Sequence, residues 1–204
     1  MKTTFLKLIL LMVVVWICNS TAYATESGYQ GLLVKPAKSL NPQSMVDHKG
    51  QAINFPQKNG NMKFVFFGYT SCPDVCPMTL SRIKQLIKKL GPTADKLEYY
   101  FVSIDPQRDN TEQLKHFVSY YDKSITGLTG KPRSIKALEN EFGILTRKFQ
   151  GKSAFAYTLE HSVFIYLLDE QGRLRVMYPA STPVNAIISD IELLRKNNNE
   201  LVLR

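Results

Sequence analysis

The segment Phe67-Gly68-Tyr69-Thr70-Ser71-Cys72-Pro73-Asp74-Val75-Cys76-Pro77 contains two cysteines four positions apart. It follows strand-forming residues 64–67 and precedes a run with helical periodicity over residues 79–90. The first exposed amides of a helix favour negative charge, and a thiol placed there ionises more easily. If the helix includes both cysteines, their spacing puts both sulfurs on one face. The pair is therefore suited to a disulfide or to a soft metal ion.

The N-terminus has the three-part pattern of a secretory signal peptide. Lys2 and Lys7 precede an apolar run over residues 8–18, and Ala22-Tyr23-Ala24 follows with small residues at the cleavage positions. The apolar run is about eleven residues, shorter than the roughly 20 that a membrane-spanning helix needs. We therefore expect residues 1–24 to be a cleaved signal peptide rather than an anchor.

Cleavage would leave residues 25–204, which we interpret as one domain because no linker or change in composition divides them. Two of the three cysteines, Cys72 and Cys76, would remain, and we expect them in the oxidising periplasm. The formal net charge is +9, which favours acidic protein surfaces or anionic lipid headgroups as neighbours. Nucleic acid is not expected as a partner of an exported chain, whereas peripheral contact with a membrane is compatible with the charge.

The order of elements predicts an α/β domain with a thioredoxin-like fold. A cysteine motif follows an early strand, and a late hairpin precedes the last helix. We expect a central, mainly parallel sheet flanked by helices, with an N-terminal hairpin extension within residues 32–55. The predicted strands are 63–67, 97–104, 125–128, 161–168 and 173–178. Helices are predicted over 79–90, from a capping box at 109–112 to about 121, from 132 to about 142, and over about 183–196.

Three histidines help to decide what the cysteines do. His48 lies in a polar turn and His116 in the second helix, and we interpret both as surface residues. His161 begins a late strand whose entry loop lies beside the cysteine turn in a thioredoxin-like fold. Redox members place a cis-proline in that loop, but this chain has no proline between Pro132 and Pro179. A histidine there makes a two-sulfur, one-nitrogen donor set that suits copper, whereas thiol exchange does not require it.

A second polar segment, Asp105-Pro106-Gln107-Arg108-Asp109, follows the predicted strand 97–104. It could line the rim of the cysteine site, but we interpret it as a strand-to-helix turn. Residues 109–112 fit a capping box for the next helix. Asp74, between the cysteines, either tunes the charge of the site or faces water.

Several motifs in order resemble those of the Sco (SenC) family of copper-binding proteins, and the resemblance extends over about residues 30–197. Three departures stand out. Most relatives keep an N-terminal membrane anchor, whereas this chain has the pattern of a cleavable signal peptide. The other two, Glu160 where relatives often have Asp and Ser71 before the first cysteine, remove no expected ligand. The motifs are Phe66-Phe67-Gly68-Tyr69-Thr70-Ser71-Cys72-Pro73-Asp74-Val75-Cys76-Pro77, Val102-Ser103-Ile104-Asp105-Pro106-Gln107-Arg108-Asp109, Leu128-Thr129-Gly130, Glu160-His161-Ser162 and Asp169-Glu170-Gln171-Gly172.

The resemblance implies a thioredoxin-like fold that binds copper, as Cu(I) or Cu(II), through Cys72, Cys76 and His161. It further implies a role in assembling the binuclear copper centre of cytochrome c oxidase, as copper donor, thiol reductant or both. The expected partners are the copper-bearing oxidase subunit or another copper chaperone, and a thiol reductant. We expect a metallochaperone rather than an enzyme. The alternative is a metal-independent periplasmic thiol-disulfide oxidoreductase that uses Cys72 and Cys76.

The signal-peptide pattern predicts a mature N-terminus at Thr25 and a protein recovered from the soluble periplasmic fraction. Intact-mass measurement and N-terminal sequencing of the protein from its producing cells would check this. Met1 retained on a membrane-bound chain would contradict it.

Overall fold

The structure, a computed structural model, describes residues 28–151 and 156–202. The predicted signal peptide lies outside the described residues. The strands are β1 (Leu32–Lys38), β2 (Gln43–Asp47), β3 (Ala52–Phe55), β4 (Met62–Gly68), β5 (Leu97–Ser103), β6 (Ile125–Thr129), β7 (Thr146–Gln150), β8 (Tyr157–His161), β9 (Phe164–Leu168) and β10 (Leu174–Pro179). The helices are α1 (Val75–Leu90), α2 (Thr111–Tyr121), α3 (Pro132–Phe142) and α4 (Val184–Val202), with a 3-10 helix at Gly91–Lys96.

Eight strands form one sheet in the order β1-β10-β9-β4-β5-β6-β2-β3. The sequence predicted a mainly parallel sheet, and parallel pairing is in fact limited to the central strands β4, β5 and β6. The other pairs are antiparallel: β2–β3 and β9–β10 are hairpins, whereas β1–β10, β2–β6 and β4–β9 join strands that are distant in the chain. The helices α1 and α2 supply the two crossovers in the parallel centre.

The N-terminal segment covers both edges of this sheet. The predicted hairpin is formed by β2 and β3, and β2 pairs with β6 at one edge. At the opposite edge β1 pairs with β10. The extension therefore satisfies backbone groups that two edge strands would otherwise expose.

Apolar side chains pack on both faces of the sheet. All seven residues of β4 are buried, as expected for a strand covered on both sides. On one face, buried residues of α1, α2 and α4 join the alternate side chains of the central strands. On the other face, α3 packs against side chains of the central strands and of β2 and β3. Among the described residues, none of the helices combines the length and apolar character that crossing a membrane requires.

Gly68, the last residue of β4, lets α1 approach the sheet closely. A Cβ atom at this position would lie 2.7 Å from the Sγ atom of Cys76 and 2.8 Å from the Cε2 atom of Phe101. Both neighbours are buried and well packed. Any larger side chain must therefore displace the first turn of α1 or the ring of Phe101.

We expect Gly68→Ala to lower the free energy of unfolding by about 1–3 kcal/mol, because overpacking forces neighbours out of place. Gly130→Ala is a matched control, since its Cβ would contact at 3.0 Å only the flexible end of Met45. Urea denaturation of both variants would measure the difference. Equal stability of the two variants would show that the contact at Gly68 does not set the position of α1.

Candidate metal centre

The two cysteines lie where β4 ends and α1 begins. Cys72 is half-buried in the connecting loop, and its backbone N–H donates to the carbonyl of Tyr69 at 3.2 Å. Cys76 is the second residue of α1 and is completely buried. The helix therefore includes only one of the cysteines. Both are free thiols, and they are hydrogen-bonded to each other.

The two thiols differ in acidity. A hydrogen bond from Cys76 is the main reason that the pKa of Cys72 is lowered to about 5, and the backbone N–H groups of Asp74 and Cys76 lower it further. The same hydrogen bond, together with burial, raises the pKa of Cys76 above its ordinary value. At neutral pH the exposed sulfur is therefore a thiolate, while the buried sulfur keeps its proton.

His161 faces the buried cysteine from another element. Its Nε2 atom lies 4.0 Å from the Sγ atom of Cys76. Its Nδ1 atom is 3.0 Å from the carbonyl oxygen of Ser162, to which it can donate a proton. This bond leaves the Nε2 lone pair directed at the sulfur, and metal-binding histidines are commonly oriented in this way.

The element that carries His161 differs from the sequence-based expectation. We expected one strand over residues 161–168, but the chain breaks at Ser162 and Val163 into β8 and β9. His161 is the last residue of β8, where it pairs with Thr146 of β7 in a separate two-stranded sheet. Periodicity missed the break because strand-forming residues lie on both sides of it.

The carboxylate of Asp109 fixes the start of the cysteine loop through hydrogen bonds. It is completely buried and accepts hydrogen bonds from the backbone N–H of Thr70 (3.0 Å), from Oγ1 of Thr70 (2.6 Å) and from Oγ of Ser103 (2.6 Å). Burial is the main reason that its pKa is raised, although these donors oppose the shift. The expected capping box at residues 109–112 is wrong, because Asn110 and Gln113 form it instead. That shift of one residue frees Asp109 to bind the loop.

Arg108 connects the same segment to the hairpin of His161. Its Nε atom lies 2.5 Å from a carboxylate oxygen of Asp105, and Nη1 donates to the carbonyl of Tyr157 at 3.0 Å. The hydroxyl of Tyr157 donates to Asp105 at 2.5 Å, and its ring stacks against the guanidinium at 3.6 Å. The backbone N–H of Leu159 donates to the hydroxyl of Tyr69 at 3.3 Å. Sequence reasoning treated the segment as a turn with a cap and missed these contacts.

A cleft of about 390 Å³ opens between the cysteine loop and the end of β8, and Cys72, Asp74 and His161 are among its lining residues. The other two histidines lie elsewhere. His116 is exposed on α2, as expected. His48 is half-buried rather than a plain surface residue, and its Nδ1 accepts a hydrogen bond from the N–H of Gly127 at 2.9 Å.

The donor set suits a soft metal ion. Thiolate sulfur and imidazole nitrogen are ligands for copper and zinc, and bonds to them are roughly 2.3 and 2.0 Å long in zinc sites. The distance between Cys76 and His161 is thus short enough for both to bind one ion. Within the described residues, no three Cys, His, Asp or Glu side chains are already arranged as a metal cluster. Completing a three-donor site would therefore require Cys72 or His161 to move.

In the reduced protein, we expect alkylation of Cys72 to persist down to about pH 5, because its thiolate is stabilised. An ordinary cysteine loses reactivity below about pH 8.5. The measurement is the rate of iodoacetamide labelling against pH, with peptide mapping to identify the modified thiol. Cys76→Ala removes the donor and should move the midpoint upward. An ordinary midpoint in the unaltered protein would contradict the thiolate assignment.

Known proteins resemble this chain in sequence and in fold. It is 32% identical over 141 residues to the SCO2-like protein of Rickettsia felis, covering 68% of this chain and 69% of that protein. The structure of Bradyrhizobium japonicum ScoI with copper bound matches at 31% identity and a TM-score of 0.69, over 77% of this chain and 99% of that one. Apo Sco1 from Thermus thermophilus matches at 27% identity and a TM-score of 0.73, over 81% and 96%. The predicted thioredoxin-like fold class is confirmed.

A sequence model of a protein family matches nearly the same residues over which the motifs showed the resemblance. The model described as SCO1/SenC matches residues 35–196, which include the cysteine loop, the Asp105–Asp109 segment and His161. The resemblance inferred from the motifs is therefore confirmed, and this chain belongs to the SCO1/SenC family.

Proposed function

We propose that this protein binds copper through Cys72, Cys76 and His161 and helps to assemble the copper centre of cytochrome c oxidase. It would donate copper, reduce the client's cysteines, or do both, as a metallochaperone rather than an enzyme. The copper-bearing oxidase subunit or another copper chaperone would be its partner. The signal-peptide pattern supports a periplasmic location.

The observation that carries this proposal is the approach of His161 to Cys76. A late hairpin brings an imidazole to within 4.0 Å of a thiol in a different element, 85 residues away in the chain. The opposite ring nitrogen is held by a backbone carbonyl, so Nε2 is available as a donor. Thiol exchange alone does not require an imidazole oriented in this way.

The chemistry of the donors favours copper over harder metals. Thiolates select Cu(I), and imidazole binds both copper states. Cys72 is already ionised, so the proton that metal binding must displace belongs to Cys76. That proton must leave for solvent or a client group, because Nε2 of His161 needs its lone pair to bind the ion.

The family membership supports both the cargo and the client. ScoI of Bradyrhizobium japonicum, a relative at 31% identity, was solved with copper bound. The Sco family is described as one of cytochrome c oxidase assembly proteins. The cleft beside Cys72 and His161 provides an opening through which a client's donor groups could reach the copper.

The second candidate is a metal-independent thiol-disulfide oxidoreductase, and the unequal thiols favour it. An accessible thiolate can attack a client disulfide, and a neighbouring buried thiol can then resolve the mixed disulfide. Cys72 and Cys76 have these two characters. His161 distinguishes the candidates, because only copper binding needs its nitrogen.

We expect His161→Ala to abolish the thiolate-to-Cu(II) charge-transfer absorption and to leave part of the Cu(I) binding, because two thiolates alone can hold Cu(I). The disulfide between Cys72 and Cys76 should still form and be reduced. The measurements are Cu(II) absorption of the purified variant and oxidase activity of cells that carry it.

His116→Ala is the matched control, since it removes an exposed imidazole and leaves the cleft unchanged. Unchanged Cu(II) absorption in His161→Ala would exclude His161 as a ligand. Lost absorption with normal oxidase activity would show that the protein acts through its thiols, as the second candidate requires.

A further inference from the structure

The helix α1 carries an unusual distribution of charge. Between Val75 and Leu90 it contains four basic residues and no acidic residue. Lys84, Lys88 and Lys89 are exposed to solvent on the face opposite the core. The four basic residues of α1 lie within residues 82–89, so this part of the cluster is already present in the sequence.

Two neighbouring segments enlarge this cationic surface. Arg82 of α1 donates to the carbonyl of Thr182 just before α4 at 3.0 Å, and Lys89 donates to Asn185 of α4 at 2.9 Å. Arg195 of α4 reaches the carbonyl of Thr93 at 3.5 Å. These contacts hold α4 and the 3-10 helix beside α1. The basic helical face is defined by Arg82, Lys84, Lys88, Lys89, Lys96, Arg195 and Lys196.

Among the side chains that the structure describes, none of the basic helical face forms an ion pair. Within residues 28–151 and 156–196, the basic partners of the ion pairs are Lys63, Arg108, Lys136, Arg173 and Arg175. None of these residues belongs to the basic helical face. The exposed acidic residues interspersed with it are Asp95 and Glu192. Because its hydrogen bonds go to neutral acceptors, the face keeps a strong positive potential.

The N-terminal chain joins the domain in the same helical layer. The backbone N–H groups of Gln30 and Gly31 each donate at 2.8 Å to the carboxylate of Asp190, which is buried on α4. Residues 1–27, with the apolar run at 8–18, precede this point and lie outside the described residues. The first described residues of the chain therefore lie against α4, in the same layer as the basic helical face.

We propose that the basic helical face is a docking surface for an anionic lipid bilayer. Lysine side chains are long enough to reach lipid phosphates without a shaped pocket, and each one near an anionic surface adds to the attraction. The face and the metal cleft have no lining residue in common, since the cleft is formed by the cysteine loop and β8. The docked protein would keep its cleft open to a partner, and this holds whether or not the cleft binds copper.

The test is sedimentation with lipid vesicles, using the protein as recovered from the cells that produce it. We expect binding to vesicles that contain phosphatidylglycerol, little binding to pure phosphatidylcholine, and release as salt shortens the screening length. The triple variant Lys84→Gln, Lys88→Gln and Lys89→Gln should lower the partition coefficient about 100-fold, or about fivefold for each lysine. The triple arginine variant at the same positions should bind like the unaltered protein.

The matched control is the triple variant Lys49→Gln, Lys58→Gln and Lys131→Gln, which removes the same charge from exposed positions outside the face. It should lower binding by much less. Equal loss in both triple variants would overturn the proposal, because net charge alone would then explain binding. Equal binding to vesicles with and without phosphatidylglycerol would also overturn it. If the protein does not bind vesicles but the face cross-links in cells to an acidic protein, that protein is the partner instead. Thermal melting would confirm that every variant is folded.

Discussion

The buried carboxylate of Asp109 is the interaction on which the site depends. Three hydrogen bonds from Thr70 and Ser103 join the start of the cysteine loop to the end of β5. A carboxylate is costly to bury unless such donors surround it, and removing it would leave those donors unsatisfied at about 1–3 kcal/mol each. The loop is therefore held in one position at the carboxyl edge of the sheet. Cys72 remains half-exposed there, while Cys76 enters the core with the first turn of α1.

The site is assembled from pieces that do not belong to one element. The cysteines come from the β4–α1 connection and His161 from a hairpin outside the main sheet. Arg108 joins these parts, because it contacts both Asp105 of the sheet edge and Tyr157 of the hairpin. The β7–β8 hairpin belongs to a separate sheet, and side chains of Arg108 and Tyr69 connect it to the cysteine loop and the sheet edge. Within the described residues, Cys76 and His161 lie 4.0 Å apart, but no three potential ligands are arranged as a complete metal site.

The proposed functions use different surfaces of the same helix. The N-terminal end of α1 holds the buried Cys76 and lines the cleft with Val75, while its outer face carries the uncompensated lysines. The rise of an α-helix, about 1.5 Å per residue, separates Cys76 from Lys84 by roughly 12 Å and from Lys89 by roughly 20 Å along the axis. A client at the cleft and a bilayer at the helical face would therefore not compete for the same residues. Orientation on a surface would also direct the cleft consistently toward its partner.

The sequence by itself determined the α/β class, the family and the position of the cysteine loop at a strand-to-helix junction. It also identified His161 as the candidate third ligand. These follow from periodicity and spacing within short segments, and from motifs that are contiguous in the chain. Only the tertiary structure decided that β8 ends at His161, that Asp109 binds the loop instead of capping α2, and that α4 brings Arg195 and Lys196 beside the basic segment of α1. The physical reason is that burial, carboxylate partners and charge clustering depend on which distant segments come into contact. Local propensity does not contain that information, whereas the packed fold does.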